Sequence, residues 1–426
     1  MIRSKSSNCI IVKINNLNFS WWFSKKIALG KNTKNNLSSI IIRIGQVAVA
    51  LGIIVSLVTI STGVGARKAI KSKLADFNGH ITVKNYNSNS SLNSDSLSIY
   101  QPFYPNFKAI PDIEHIQAIA NKSGVIRTAE NFSGVVFKGV GTDYDTIRFE
   151  NFLVKGRFPK INKDSITDEV ILSQKIADEL KLDIDSSFVM YFVRDESTRP
   201  IYRRFNIKGI YKTDIKNFDD IIMLGDIKQV QNLNKWDSTT VGGFELFVND
   251  VDNIELVAKS VSENIPYNLL SESASDSFAQ INEWISIFDK NIVIIVVIML
   301  FVVIINMVMV LLILILERTQ SIGLLKAFGA TNWKVRRLFI NYAIFIMFPG
   351  LVAGNVIGIG LLLIQKYFKI IKLPAENYYI SVAPVYLDLG SIALLNLGAI
   401  IICAIVLLLP SYMIAKISPS KAINFR

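Results

Sequence analysis

The sequence predicts an α-helical membrane protein: four transmembrane helices, with a large α+β domain inserted between the first and second spans. Three observations predict this. Four apolar stretches, at 40–64, 291–316, 338–364 and 389–409, are each long enough to cross a bilayer, which takes about 20 helical residues. Residues 65–290, between the first two, are polar, while the other connections are short. The chain is 51% hydrophobic, with a mean hydropathy of +0.38, a composition that belongs to the membrane class.

The charges orient the spans. Residues 1–43 carry eight Lys or Arg and no acid, and 317–337 carry five bases against Glu317 alone. The tail 410–426 adds Lys416, Lys421 and Arg426 and no acid. By contrast 65–290 holds 27 bases and 31 acids, and the connection 365–388 three bases and two acids. Because basic loops stay on the cytoplasmic side, the leader 1–39, the loop 317–337 and the tail 410–426 are expected in the cytoplasm. The domain 65–290 and the connection 365–388 are expected outside, in the periplasm of a cell with a multi-pass inner-membrane protein. The net charge of +12 is therefore a topology signal, and no nucleic-acid partner is expected.

The leader precedes an apolar run too long and too late for a cleaved signal and lacks a clear A-x-A site, so it reads as an uncleaved anchor. Residues 19–29 mix Trp21, Trp22 and Phe23 with Lys25 and Lys26. That suits a helix lying on membrane lipids at the cytoplasmic interface, and an ordinary belt of interfacial Trp predicts nearly the same pattern. The two cysteines, Cys9 and Cys403, fall in the leader and in the fourth span and cannot pair.

Within 65–290 the first helix is expected to continue over 66–77, with Ile70, Leu74 and Phe77 on one side, until Asn78 and Gly79 stop it. A strand follows at 80–85, then an exposed Ser/Asn-rich loop at 87–98 and a short helix at 113–120. Strands are expected at 134–139 and 169–172, with a helix at 173–180. Strands at 188–193 and 203–211 flank a charged hairpin tip, 194–200, and a strand at 243–248 precedes a helix at 251–262. The amphipathic stretch 275–288 leads into the second span.

Several chemistries are excluded. No G-x-x-x-x-G-K-[ST] or H-E-x-x-H occurs. His80 and His115 are the only histidines, which disfavours a His-based metal site or a Ser-His-Asp triad; His80 is expected to cap or pack. No catalytic residue, cofactor or metal is predicted. No ionisable residue falls near the middle of a span, unlike proton- or ion-coupled transporters, so the energy must come from elsewhere. Asn306, Asn355 and Asn396 are expected to be the buried polar residues of the spans, as packing glue or as the lining of a substrate path. Ala48, Gly52 and Ser56 in the first span, and Gly350, Gly354 and Gly358 in the third, form small-residue stripes that allow close helix approach, either within the chain or at a dimer seam.

The loop after the second span reads Glu317, Arg318, Thr319, Gln320, Ser321, Ile322, Gly323, Leu324, Leu325, Lys326, Ala327, Phe328, Gly329, Ala330, and the end of the chain runs from Pro410 to Pro419 and Ala422. Both segments resemble the FtsX/MacB-type permeases of ABC transporters, whose patterns are ERT-x-E-I-G-x-L-(R/K)-A-x-G-A and P-x-x-x-A-x-x-x-x-P-x-x-A. Ser321 departs from the first pattern, where an acid is usual, and in the second the alanine, Ala415, stands one residue later than the pattern has it. Residues 60–63 (ISTG), 77–81 (FNGHI), 168–180 (DEVILSQKIADEL), 205–210 (FNIKGI) and 373–379 (LPAENYY) are similar to the lipoprotein-releasing permeases LolC and LolE.

That resemblance implies a MacB-like permease that hydrolyses no ATP itself. It implies a separate, LolD-like ABC ATPase subunit, which binds the ATP, and a second permease subunit, identical or not. It also implies a lipoprotein cargo and a LolA-like periplasmic chaperone. The coupling element that docks on the ATPase would comprise Glu317, Arg318, Ile322, Gly323, Leu325, Lys326, Phe328, Gly329, Ala330 and Trp333. A hairpin that captures the chaperone would match Arg194, Asp195, Glu196, Arg199, Pro200 and Tyr202. Two other readings stand beside it: a MacB-like exporter of peptides or small toxic compounds, although MacB carries its ATPase in the same chain, and an FtsX-like signal relay, although that family has a smaller outer domain. A plain receptor or scaffold would leave residues 317–330 unexplained.

Overall fold

The computed structural model describes residues 36–86, 92–194, 197–250 and 253–412. Cys9, the interfacial segment 19–29, Asp195, Glu196 and the tail beyond 412 lie outside the described residues. Among the described residues four helices are long and apolar enough to cross a membrane: Asn36–Asn78, Ala279–Glu317, Asn332–Phe368 and Leu389–Val406. Helix is the natural state for such segments, since it satisfies every backbone polar group without water. The first runs on to Asn78, where Gly79 at φ +77° ends it.

The chain divides into two compact units. The membrane unit ends its first segment at Val64 and continues with Phe288–Phe368 and the residues from Val385 on. Its core joins Val49, Ile53 and Leu57 of the first span to Val303, Met307 and Leu311 of the second, and to Phe339, Ala343 and Met347 of the third. The opposite faces, including Ile44, Val47, Val297 and Phe301, stay apolar and exposed, as a lipid solvent requires.

The inserted domain, Gly65–Ile287 with Lys369–Pro384, is built on a mixed sheet of ten strands. In chain order its elements are β1 (Ile81–Asn85), β2 (Leu97–Ser98), β3 (Ile113–Arg127), β4 (Phe132–Val140), β5 (Leu153–Gly156), β6 (Glu169–Ser173), β7 (Ser187–Arg194), β8 (Ser197–Tyr211), β9 (Ile222–Asp226), β10 (Thr240–Val241), β11 (Gly243–Val248) and β12 (Leu269–Ser273). The spatial order is β12-β1-β11-β3-β4-β9-β6-β8-β5, with β7 joining β3 and β8, and β2 and β10 forming a separate pair. Two pairings, β4 with β9 and β6 with β8, are parallel. Helices Gln174–Leu180, Ile227–Asn234 and Ile254–Asn264 cover the sheet.

Residues 113–120, expected as a short helix, form the first half of β3. The spacing of Ile113, Ile116 and Ala120 mimics a helical stripe. Here Ile116 to Ala120 are buried one after another, because β3 is a central strand between β11 and β4. A run covered on both faces loses the alternation that identifies strands. The helix expected at 251–262 lies at Ile254–Asn264. The hairpin tip expected at 194–200 is mostly strand: β8 begins at Ser197, and Arg194 pairs with Ser197. At this end β8 pairs with β7 alone, so Pro200 sits on a free edge, where its missing N–H leaves no ladder bond unmade.

Candidate functional site

Three regions carry the residues singled out by the sequence. The first is the connection between the second and third spans. A short helix, Thr319–Ala327, follows the second span directly, and the Thr319 hydroxyl donates to the Leu316 carbonyl at 2.7 Å. Gly329 at φ +87° closes this helix, its N–H donating to the Lys326 carbonyl and that of Ala330 to the Leu325 carbonyl, both at 3.0 Å. A left-handed residue here favours glycine. A Cβ at Gly329 would meet nothing within 4 Å, so the requirement is conformational.

Ile322 and Gly323 are buried, with Ile322 in one cluster with Ile315, Val335 and Phe339. Arg318, Leu325, Lys326 and Ala330 are half-buried, and Glu317 is exposed. Phe328 is 86% exposed, Trp333 61% and Leu324 51%. The loop thus has an anchored face and a bare apolar one. Leu324 is absent from the sequence-derived set; its i, i+4 spacing to Phe328 was the available signal.

The second region is the seam of the spans. A Cβ on Gly350 would meet the Gln46 carbonyl oxygen at 2.5 Å, and one on Gly354 the Ala50 oxygen at 2.8 Å. The third span therefore rests on the backbone of the first. Gly52 touches Val303 of the second span, and Gly45, outside the predicted stripe, would place a Cβ 2.8 Å from Val310 Cγ2. Gly358 is looser, with 3.2 Å to Leu57 Cδ1. Ser56 is buried, and Ala48 half-buried. Between internal packing and a dimer seam, Gly52, Gly350 and Gly354 thus contact this chain's own helices. Asn355 and Asn396 exchange amide hydrogen bonds at 2.7 and 3.0 Å between the third and fourth spans, whereas Asn306 bonds its own helix at the Val302 carbonyl.

Gly354→Leu is expected to destabilise the membrane unit by about 1–3 kcal/mol through overpacking against backbone. Gly360→Leu, in open space, is expected to change little. Thermal unfolding of the two detergent-solubilised variants compares them.

The third region lies in the inserted domain, where the first long helix ends. Phe77 stacks on Phe218 at 4.6 Å between ring centroids and is ringed by Phe149, Phe152 and Tyr211. Phe218 in turn meets Phe278 edge-on at 5.1 Å, one residue before the second long helix begins. The Lys138 ammonium donates to the Phe77 carbonyl at 2.9 Å and pairs with Glu245 at 2.5 Å. Glu245 also accepts from the Gln117 amide at 2.8 Å. The two charged side chains are 2% and 0% exposed. Gly79 is required here on two grounds, its positive φ and the 2.8 Å that would separate its Cβ from Glu245 Cβ.

His80, read as a capping or packing residue, is buried, and its Nδ1 accepts from the Val248 N–H at 2.6 Å. Burial, with the Arg148 charge adding to it, pushes the imidazole down to about 4 from 6.5. Below about pH 6.5 the unfolded chain binds a proton that the folded domain refuses. This contribution is therefore intact above pH 6.5 and falls by about 3 kcal/mol as pH drops towards 4. Unfolding midpoints across that window should fall more steeply for the natural protein than for His80→Asn, which keeps an acceptor for Val248.

The hairpin residues Pro200 and Tyr202 are exposed. Tyr202, Tyr191 and Val125 are register partners across β8, β7 and β3, all exposed, with Val193 and Phe132 exposed as well. The sheet thus carries an apolar, aromatic outer face beside the hairpin. Tyr191, Val193 and Val125 were not singled out from the sequence, although the alternation along 188–193 marks Tyr191 and Val193. Among the described residues no group of His, Cys, Asp or Glu is placed to hold a metal ion.

Comparisons with known proteins agree in both halves of the chain. The family model for the FtsX-like permease C-terminal matches residues 293–419, and that for the MacB-like periplasmic core domain matches residues 47–264. The chain is 22% identical over 412 residues to the lipoprotein-releasing system transmembrane protein LolC of Xylella fastidiosa strain Temecula1, covering 92% of this chain and 95% of that one. It is 20% identical over 422 residues to the lipoprotein-releasing system transmembrane protein LolE of Haemophilus influenzae, covering 96% and 100%. A solved structure, the extracellular domain of the noncanonic ABC-type transporter YknZ from Gram-positive bacteria, aligns at 16% identity with a TM-score of 0.31, covering 45% of this chain and 99% of that chain.

Proposed function

We propose that this chain, which belongs to the FtsX-like permeases with a MacB-like periplasmic core domain, extracts lipoproteins from the bacterial inner membrane and releases them to a periplasmic chaperone. Permeases of this family are transmembrane subunits without a catalytic domain and pair with ABC ATPases. The observation that carries the finer reading is the extent of the match: the similarity to LolC and LolE runs through spans and inserted domain alike, over 412 and 422 residues.

On this reading ATP is hydrolysed in a separate LolD-like subunit that docks on the bare apolar face of the cytoplasmic loop, Leu324, Phe328 and Trp333, a shape suited to a partner groove. A second permease, identical or paired as LolC with LolE, completes the membrane part. The N- and C-termini lie in the cytoplasm, as the basic loops require. The chain enters and leaves the inserted domain as helix, and the Phe77–Phe218–Phe278 contacts hold both ends, so a displacement of either helix is felt by the sheet. The hairpin of β7 and β8, with Tyr191 and Tyr202 beside it, receives the LolA-like chaperone. The match to a MacB-like core favours one alternative, export of peptides or small toxic compounds.

The test is reconstitution with the partner ATPase in vesicles holding a triacylated lipoprotein. ATP-dependent transfer of the lipoprotein to the soluble chaperone is expected. ATP hydrolysis with the lipoprotein retained in the vesicle would move the assignment to export.

A further inference from the structure

The connection between the third and fourth spans contains a small amphiphilic hairpin that the transport reading does not use. The third helix ends at Phe368, and Lys369 at φ +49° turns the chain out of it. Residues 371–373 then run antiparallel to 381–383: the Leu373 N–H donates to the Ser381 carbonyl at 3.0 Å, and the Ala383 N–H to the Ile371 carbonyl at 3.1 Å. One side of this hairpin is fixed. Ile380 is buried, and Trp284 meets Tyr379 edge-on at 5.7 Å between ring centroids.

The other side is bare. Ile370 is 66% exposed and Ile371 55%, and Lys369 and Lys372 flank them, exposed and without an ion pair among the described residues. Two adjacent uncovered isoleucines are unusual on a water-facing hairpin, and among the described residues no carboxylate answers the two ammonium groups. A membrane interface answers both: the isoleucines enter the acyl boundary while the lysines, on flexible stems, reach the headgroup phosphates. The hairpin begins directly after a helix able to span the bilayer, which brings it to the headgroup layer. It is also the connection whose three bases, Lys366 among them, depart from the pattern of basic residues on the opposite side.

We infer that Lys369–Lys372 is a binding element for anionic phospholipid headgroups, on the side of the membrane that carries the inserted domain. It anchors the connection there whatever the cargo. The occupant is a lipid surface and not a protein, because two bases flank an apolar pair beside the end of a span.

The full-length protein, extracted from membranes of phosphatidylethanolamine and phosphatidylglycerol, is examined by native mass spectrometry for retained lipid. The natural protein is expected to hold phosphatidylglycerol in preference to phosphatidylethanolamine. Lys369→Gln with Lys372→Gln is expected to lower that preference by about fivefold per lysine, and the double Lys→Arg variant to keep it. An unchanged preference in the Gln variant would overturn the inference. A photocrosslinking residue at position 371, in an otherwise natural chain, is expected to capture phospholipid; capture of a protein instead would overturn it as well.

Discussion

Phe328→Glu is expected to release the ATPase subunit from the permease and abolish transport, with the protein still inserted and folded. Phe328 is 86% exposed, so a carboxylate there meets water in the free chain and costs the fold little. Buried in a partner's groove, the same carboxylate would lose its solvation without a counter-charge. Truncation of a central aromatic anchor typically costs about 2–4 kcal/mol of binding, or 30-fold and upward in affinity, and a charge adds to that. Leu324→Glu should behave alike. Leu325→Glu should differ, since Leu325 is half-buried, and the variant should lose thermal stability as well as partner binding. Co-purification of the ATPase with tagged permease, beside the unfolding midpoint of each variant, separates the two effects. Normal co-purification with Phe328→Glu would remove this loop from the coupling.

Lys138→Met is expected to be the most damaging single change in the inserted domain. It leaves Glu245 buried, with only the Gln117 amide beside it, and frees the Phe77 carbonyl at the end of the first helix. Breaking a buried ion pair from one side costs about 3–5 kcal/mol, whereas replacing both partners with apolar residues is far less costly. Lys138→Met with Glu245→Leu should therefore recover much of the lost stability. Transport should not recover with it, if the grip on the Phe77 carbonyl carries motion from helix to sheet. Denaturant unfolding and lipoprotein release measured on the same three proteins test both statements.

The membrane half of the fold was legible because its physics is one-dimensional. A run of apolar residues long enough to cross a bilayer satisfies its backbone only as a helix. The run-on of the first helix was legible for a similar reason, since Ile70, Leu74 and Phe77 keep a helical period up to the Asn78–Gly79 stop. In the inserted domain β7 was legible from the alternation of a strand with one face in water, and β4, β6 and β11 as short apolar runs bounded by turn residues, whereas β3 was not. β3 looked helical because Ile116 to Ala120 are buried consecutively, and β9 and β12 passed unmarked. The Lys138–Glu245 pair joins residues far apart in the chain, and no local pattern announces it. In the loop between the second and third spans the motif was plain, but its bare side was not: the choice of Leu325 over Leu324 turns on the exact rotation of a nine-residue helix. The small-residue stripes gave the spacing but not the partner, which only the close approach of Gly350 and Gly354 to the backbone of the first span supplies.

The most direct measurement of the central claim is depletion of this protein in its own cell, followed by separation of inner and outer membranes and tracking of a labelled outer-membrane lipoprotein. The lipoprotein is expected to accumulate in the inner membrane while other envelope proteins are sorted normally. Unchanged lipoprotein sorting in depleted cells that carry no second copy of the subunit would contradict the lipoprotein-releasing role and leave an ABC transporter permease with a different substrate.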